Sequence, residues 1–355
     1  MLIQNMKNSK LVQHYYLGSG SIKNLERLIF SKKNQDKDFV VFVIDHFFKN
    51  NLILSELPAN VNDLTLFADT TDEPRAEYID DLVSKVKQKK RLPVAIIGIG
   101  GGSTLDIAKA ISILLTNPGK AEEYQGWDLV KFPPVYKIGI PTIAGTGAEF
   151  TRTAVMTSKI KKLGINSDHS VYDQVIMDPD LLNTVPNEQF IYTAMDCFVH
   201  NVESLRGRQN DAMTIAFAQK SLEMMKDIFL GNMDLEKLMV ASAMGGIAVA
   251  NSNVGICHPL SYGLSLVLNL HHGYSICIAM NQLEEYYPEV REFKEILKRN
   301  KIELPKIIND DITDEMIDKM AEATLNNERP LENAFGPEWR AIFTKEKVID
   351  LIRKM

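Results

Sequence analysis

The chain has 355 residues, enough for one large or two ordinary domains, and 45% of them are hydrophobic, ample for a core. A formal net charge of -6, spread along the sequence, argues against nucleic acid as the main partner. No apolar run is long enough to span a membrane, the opening MLIQNMKNSK lacks a signal-peptide core, and Cys197, Cys257 and Cys277 have no paired spacing; a cytoplasmic protein without a disulfide framework is expected.

The first half alternates two kinds of pattern. DFVVFVID (38–45) and LTLFAD (64–69) are short apolar runs that predict strands. PRAEYIDDLVSKVKQKK (74–90) starts with proline and spaces Tyr78, Ile79, Leu82, Val83 and Val86 at helical intervals. PVAIIGIG (93–100) predicts a buried strand. STLDIAKAISILLTN (103–117) predicts a helix stopped by Asn117-Pro118-Gly119, and VYKIGIPT (135–142) a further strand. Strand and helix in alternation imply a parallel, Rossmann-like sheet with right-handed crossovers. After about residue 178 the character changes. IAFAQKSLEMMKDIF and LEKLMVASAMGGIAVAN are helical and rich in Ala and Met, and the last fifty residues are charged and helical. The expected architecture is an α/β domain over 1–178 and an all-α domain over 179–355.

Gly100, Gly101 and Gly102 join a strand to a helix. Glycines let a phosphate approach the main chain, and the helix start offers free N–H groups. Ser103 can cap that helix and also donate to a phosphate. The stretch is neither GxGxxG nor a Walker motif, and an ordinary tight turn would use the same residues. A second Gly-rich stretch, IPTIAGTGAEFT, places Thr142 and Thr146 where they can meet a pyrophosphate or ribose. Asp45 ends the first strong strand, where an acid accepts from a ribose diol and repels a 2′-phosphate, favouring NAD over NADP. Taken alone, Asp45 reads first as a helix cap or turn residue.

Asp196 and His200 lie four apart in MDCFVHNVES, so one helical face carries both. His258 and His272 follow in GICHPLSYG and LHHGYS. One carboxylate and three imidazoles make a first shell for a divalent transition metal. Any one histidine alone would pass for a core residue, as His14, His46 and His169 do. Cys197 points about 100° away from Asp196 and should miss the metal.

Together these residues resemble the iron-dependent (group III) alcohol dehydrogenases. GGGSTLDIAKA is similar to that family's GGGSxxDxxK turn. PTIAGTGAE resembles PTTxGTGSE, with Ala148 where Ser is usual, and MDPDLLNTVPNEQFIYTAMDCFVHNVES resembles DPxLxxxxP…DxxxHxxE, Glu203 included. The resemblance implies metal ligands Asp196, His200, His258 and His272, Fe(II) as the metal with Zn(II) able to compete in purified protein, and NAD(H). It implies a pyrophosphate turn at Gly100, Gly101, Gly102 and Ser103, nucleotide contacts from Thr142, Thr146 and Asp45, and a homodimer. The family writes HxxxHPLG where this chain has HPLSYGLS. His258 stands fourteen residues before His272, the spacing of the family's first histidine, so Tyr262 takes the place of the second.

Within the family the chain looks closest to the bacterial 3-deoxy-D-manno-octulosonate 8-oxidases, which oxidise the terminal hydroxymethyl of that sugar acid on the way to an 8-amino sugar of lipopolysaccharide. An acidic sugar calls for a cation, and Arg152, Lys161, Lys162, Arg206 and Arg208 are available. Three other readings remain: a dehydrogenase of a small alcohol or diol, a sugar-phosphate cyclase of the dehydroquinate synthase type, and a non-catalytic nucleotide-binding homologue. The cyclases share the architecture but use Glu and two His, and the homologue would draw on Tyr262.

Overall fold

Parallel strands covered on both faces need continuous apolar runs, and the first half of the chain supplies them. The computed structural model describes residues 9–50, 56–71, 73–159, 161–309 and 311–355. The opening stretch up to residue 8, read above for a signal peptide, lies outside them. The strands are β1 (His14–Leu17), β2 (Val40–Asp45), β3 (Leu64–Ala68), β4 (Ala95–Gly100), β5 (Gly126–Trp127), β6 (Lys137–Pro141), β7 (Thr153–Thr157), β8 (Lys162–Asn166) and β9 (Gln174–Met177). Six form one sheet in the order β1-β9-β6-β4-β2-β3, and every neighbouring pair is parallel. β5, β8 and β7 form a second, small sheet in which β7 and β8 are antiparallel. The sequence reading passed over this hairpin, because its strands are short and flanked by charge.

The period of two in β2 sorts its side chains. Phe39, Val41 and Val43 join one core cluster with Ile79, Leu82, Val83 and Ile111 of the helices α2 (Ala76–Lys87) and α3 (Gly102–Leu114). Val40, Phe42 and Ile44 face the other cluster with Leu25 and Ile29 of α1 (Leu25–Lys32). Helix α3 ends at Leu114, three residues before the expected stop, Asn117. The Asn117 amide donates to the carbonyls of Ile113 (3.1 Å) and Phe132 (3.0 Å), and its Oδ1 accepts from the backbone of Lys131 and Phe132. The register sets Ile44 beside Ile99 and Gly100 beside Pro141, so Asp45, Gly100 and Thr142 gather at the carboxyl end of the sheet.

The second half is helical: α4 (Asn187–Arg206), α5 (Ala212–Leu230), α6 (Leu235–Ser252), α7 (Cys257–Leu268) and α8 (His272–Asn281), then α9 (Val290–Arg299), α10 (Asp314–Leu325), α11 (Glu328–Phe335), α12 (Trp339–Ile342) and α13 (Lys345–Arg353). Side-chain caps set several starts. Asp211 accepts from Thr214 N at 2.8 Å and Asp234 from Lys237 N at 3.0 Å, each satisfying a backbone donor the helix cannot. Among the described residues no single helix is long and apolar enough to cross a membrane.

The chain divides into two compact units. The first ends at Ile143 and resumes over Ala148–Thr184; the second takes Ala144–Gly147 and Val185–Met355. The turn after residue 178 stays with the sheet, since the Asp178 carboxylate accepts from Gly20 N, Ile22 N and Asp180 N at 3.0–3.2 Å. The tetrapeptide Ala144–Gly147, inside the second Gly-rich stretch, packs with the helices.

Candidate metal centre and nucleotide turn

Helix α4 presents Asp196 and His200 one turn apart. His258 is the second residue of α7 and His272 the first of α8. These three elements place three imidazoles around one buried carboxylate. Asp196 Oδ1 lies 3.4 Å from His258 Nε2 and 3.7 Å from His200 Nε2, and Asp196 Oδ2 lies 3.7 Å from His272 Nε2. Those separations exceed normal hydrogen bonds. Asp196 and His258 are each 1% exposed, yet both Asp196 oxygens and His258 Nε2 lack a hydrogen-bond partner. Buried groups of this kind cost free energy unless paired, and a divalent cation bound among them would pair all three. Asp196, His258 and His272 offer ligand atoms mutually within 4.8 Å. The His200 ring stacks on His258 with centroids 4.7 Å apart. Residues, donor types and spacing therefore fit a divalent transition metal.

Glu203, one helical turn beyond His200 on α4 and absent from the predicted ligand set, orients the centre. Its Oε2 lies 2.5 Å from His258 Nδ1, and its Oε1 accepts from Cys257 N at 2.6 Å and from the Tyr287 hydroxyl at 3.3 Å. A carboxylate on Nδ1 holds the proton there and leaves the Nε2 lone pair for the metal. Burial opposes a charge on His258, but Glu203, then Asp196, outweigh it and lift its pKa to about 9. Burial likewise opposes the Asp196 charge, and His200, followed by His272 and His258, hold that carboxyl well below the usual range. Metal uptake must then expel the Nε2 proton of His258. Affinity measured by chelator competition is expected to climb about tenfold per pH unit from pH 7 towards 9 and flatten above. An affinity independent of pH over that span would remove His258 from the ligands.

Tyr262, one turn along α7 from His258, has its ring centroid 6.0 Å from that of His258 and 5.8 Å from that of His272. The phenol thus stands beside His258 and His272, and His272 keeps some exposure. Cys197 turns away, as expected, and donates to Ala241 O at 3.4 Å. His271 is exposed. Four of the five cations considered for an acidic substrate are engaged within their own unit. Arg152 pairs with Asp128 and Asp168, Lys162 with Glu73 and Arg206 with Glu289, while Lys161 donates to Gln125 O.

The first Gly-rich turn follows β4. Gly100 has φ +158°, and α3 starts from Gly101 with no side-chain cap. Ser103 was expected to cap this helix. It sits inside the first turn instead, two residues past the capping position Gly101. The uncapped N–H groups at the carboxyl end of a parallel sheet suit a phosphate. Asp45 lies beside them, but its oxygens already accept from Phe47 N (3.0 Å), Thr70 Oγ1 (3.1 Å) and Thr104 Oγ1 (3.1 Å). Both the cap role and the ribose role are thus compatible with its position. Thr142 N donates to Gly100 O at 3.0 Å and ties the next strand to the turn.

Two further residues of the first motif have a structural use the sequence did not disclose. Lys109 is fully buried; its Nζ donates to Ala148 O and Thr153 O at 2.6 Å and to Thr151 Oγ1 at 3.0 Å. Asp106 lies 3.4 Å from that amine and accepts from Val155 N. Burial lifts the Asp106 carboxyl to about 6 against the pull of Lys109. The pair fastens the 148–155 segment to α3. The second Gly-rich stretch also proves constrained by packing. A Cβ on Gly145 would lie 1.7 Å from Thr193 O, and one on Gly147 (φ +60°) 2.6 Å from the Gly246 Cα.

A buried carboxylate among imidazoles in a helical unit, in a chain whose other unit ends a parallel sheet in an uncapped Gly-rich turn, is the make-up of a metal-dependent, nucleotide-using enzyme. Comparison with known proteins narrows the class. Residues 13–179 match the iron-containing alcohol dehydrogenase profile, and residues 190–323 match the C-terminal profile of the Fe-containing alcohol dehydrogenase family. The chain belongs to the iron-containing alcohol dehydrogenase family and is an oxidoreductase of that class. It is 29% identical to the NAD-dependent methanol dehydrogenase of Bacillus methanolicus over 79% of this chain and 74% of that one. It is 32% identical to the sulfoacetaldehyde reductase of Bilophila wadsworthia over 59% of this chain and 56% of that protein. Its fold matches 1,3-propanediol oxidoreductase with a TM-score of 0.82 at 19% identity, covering 98% of this chain and 99% of that one. It also matches a sulfoacetaldehyde reductase from Bifidobacterium kashiwanohense solved in complex with NAD+, with a TM-score of 0.80 at 18% identity over 98% of each chain.

Proposed function

We propose that this protein oxidises a primary alcohol to an aldehyde, with NAD as hydride acceptor and Fe(II) held by Asp196, His200, His258 and His272. The observation that carries the reading is the buried Asp196 carboxylate, partnerless at both oxygens and faced by three imidazoles. The NAD-dependent methanol dehydrogenase relative supports the choice of cofactor. When bound, the metal supplies a Lewis acid for the alcohol hydroxyl and the nicotinamide an acceptor for the hydride. The chain's own residues do the rest. Glu203 fixes the His258 tautomer. Gly100, Gly101, Gly102 and Ser103, at the α3 N-terminus, receive the pyrophosphate in this reading, with Thr142 and Thr146 assigned to the nucleotide and Asp45 to the adenosine ribose. Tyr262, beside His258 and His272, stands where its hydroxyl can hydrogen-bond the substrate.

The alcohol in this reading is the C8 hydroxyl of 3-deoxy-D-manno-octulosonate, handled by a cytoplasmic homodimer ahead of an amination for lipopolysaccharide. Its support is the overall likeness to the 8-oxidases and the HPLSYG variation at Tyr262. Recognition of the sugar carboxylate is assigned to none of the four engaged cations. The test mixes anaerobically Fe(II)-loaded enzyme, NAD and the sugar acid, and follows NADH absorbance together with aldehyde mass. Aldehyde and NADH in equal amounts are expected. Turnover of a simple diol with no aldehyde from the sugar would keep the family and discard the substrate. Retained NAD without any NADH would discard the dehydrogenase.

A further inference from the structure

We propose that Ser242 is a positioning residue for the cofactor, holding the Thr146 loop in shape from beneath. The inference rests on the reading that Thr146 meets the nucleotide. Ser242 lies in α6, is fully buried, and is not itself one of the proposed ligands. Its Oγ accepts two backbone N–H groups of one tripeptide, Gly145 N at 2.7 Å and Gly147 N at 3.2 Å. With the amides on either side turned inward to one oxygen, the path of the residue between them is set. Thr146 is the one residue of Ala144–Ala148 that keeps part of its surface, and both its neighbours are buried glycines. The glycines serve the same arrangement. Gly145 lies against the Thr193 carbonyl of α4, and Gly147 lies against Gly246, one turn beyond Ser242, so neither tolerates a Cβ. Thr193 is three residues before Asp196 on α4. The loop thus seats on the helix that carries the first metal ligand, and Ser242 supplies the hydrogen bonds of that seat. Without the hydroxyl, two buried amides lose their acceptor, and the loop relaxes to satisfy them elsewhere.

The experiment compares Ser242→Ala, Ser242→Thr and Thr146→Ala with the parent protein, all loaded with Fe(II) anaerobically. NAD affinity is measured by calorimetry, iron content by elemental analysis, stability by melting temperature, and kcat and KM by NADH formation. Ser242→Ala is expected to weaken NAD binding roughly tenfold, about 1.4 kcal/mol, and to raise its KM in step. Its iron content and its kcat at saturating NAD should stay near those of the parent. Ser242→Thr keeps the acceptor oxygen and should recover most of the affinity. Parent-like NAD affinity in Ser242→Ala, where Thr146→Ala binds weakly, overturns the inference. Loss of iron and of melting temperature in proportion to NAD also overturns it, since the serine would then be structural only. If Ser242→Ala does not fold, a folded Ser242→Thr with weakened NAD binding and full iron overturns it equally. Parent-like affinity in Thr146→Ala instead removes the nucleotide reading of the loop, a failure that leaves a different signature.

Discussion

His258→Ala is expected to lose its metal and to slow alcohol oxidation by roughly 10³-fold or more, the several kcal/mol that a Lewis acid contributes to the barrier. The physical reason is double. The substitution deletes one of four donors, and it leaves the Glu203 carboxylate buried without the imidazole that faces it at 2.5 Å. An unpaired buried charge of this kind costs about 3–5 kcal/mol, so a drop in melting temperature should accompany the loss of activity. His258→Gln is the companion variant, because it restores a polar group opposite Glu203 without an imidazole donor. Both should still bind NAD, since the first Gly-rich turn lies in the other unit. Full activity with either variant would sink the ligand assignment.

The second large effect falls on a residue that touches no metal in this reading. Glu203→Gln should lower metal affinity by about 10–100-fold, as loss of an outer-shell partner generally does. Cys257 N–H requires an acceptor at Oε1, so the amide oxygen must stay there and the amide NH2 must face His258. His258 Nδ1 then becomes an acceptor, and its proton moves to Nε2, where the metal needs a lone pair. The imidazole pKa should also fall, because the charge that lifts it is gone. Metal affinity in the variant should therefore vary less with pH than in the parent. Chelator competition reads the first effect and its pH profile the second; parent-like values of both would reduce Glu203 to a packing residue.

Much of this was readable in the chain. The runs 38–45, 64–69, 93–100 and 135–142 became β2, β3, β4 and β6, because a strand buried on both faces has to be apolar throughout. The Asp196–His200 spacing places both groups on one face of whatever helix forms there, so that half of the centre follows from local geometry. The registration of His258 and His272 against it does not. Those residues start two further helices, and only the packing of α4, α7 and α8 brings their nitrogens to 3.4–3.7 Å from Asp196. Glu203 was visible as a motif letter, but its work depends on a fold that sets it opposite the hidden nitrogen of His258. From sequence, Gly145 and Gly147 were only the glycines of a stretch read for its hydroxyl residues Thr142 and Thr146. The structure adds a steric reason, the backbone of Thr193 and Gly246 too close for any side chain. Lys109 and Ser242 carried no signal for their contacts at all. Their partners lie far away along the chain, and a hydrogen bond between distant residues is decided when helices and loops pack, not by any local pattern. By itself, then, the sequence determined four of the parallel strands, the main helices, the glycine turns and the residue types of a candidate ligand set, which depend on neighbours within a few residues. Tertiary structure alone decided which buried polar atoms meet and which remain for a metal, because those distances are set by long-range packing.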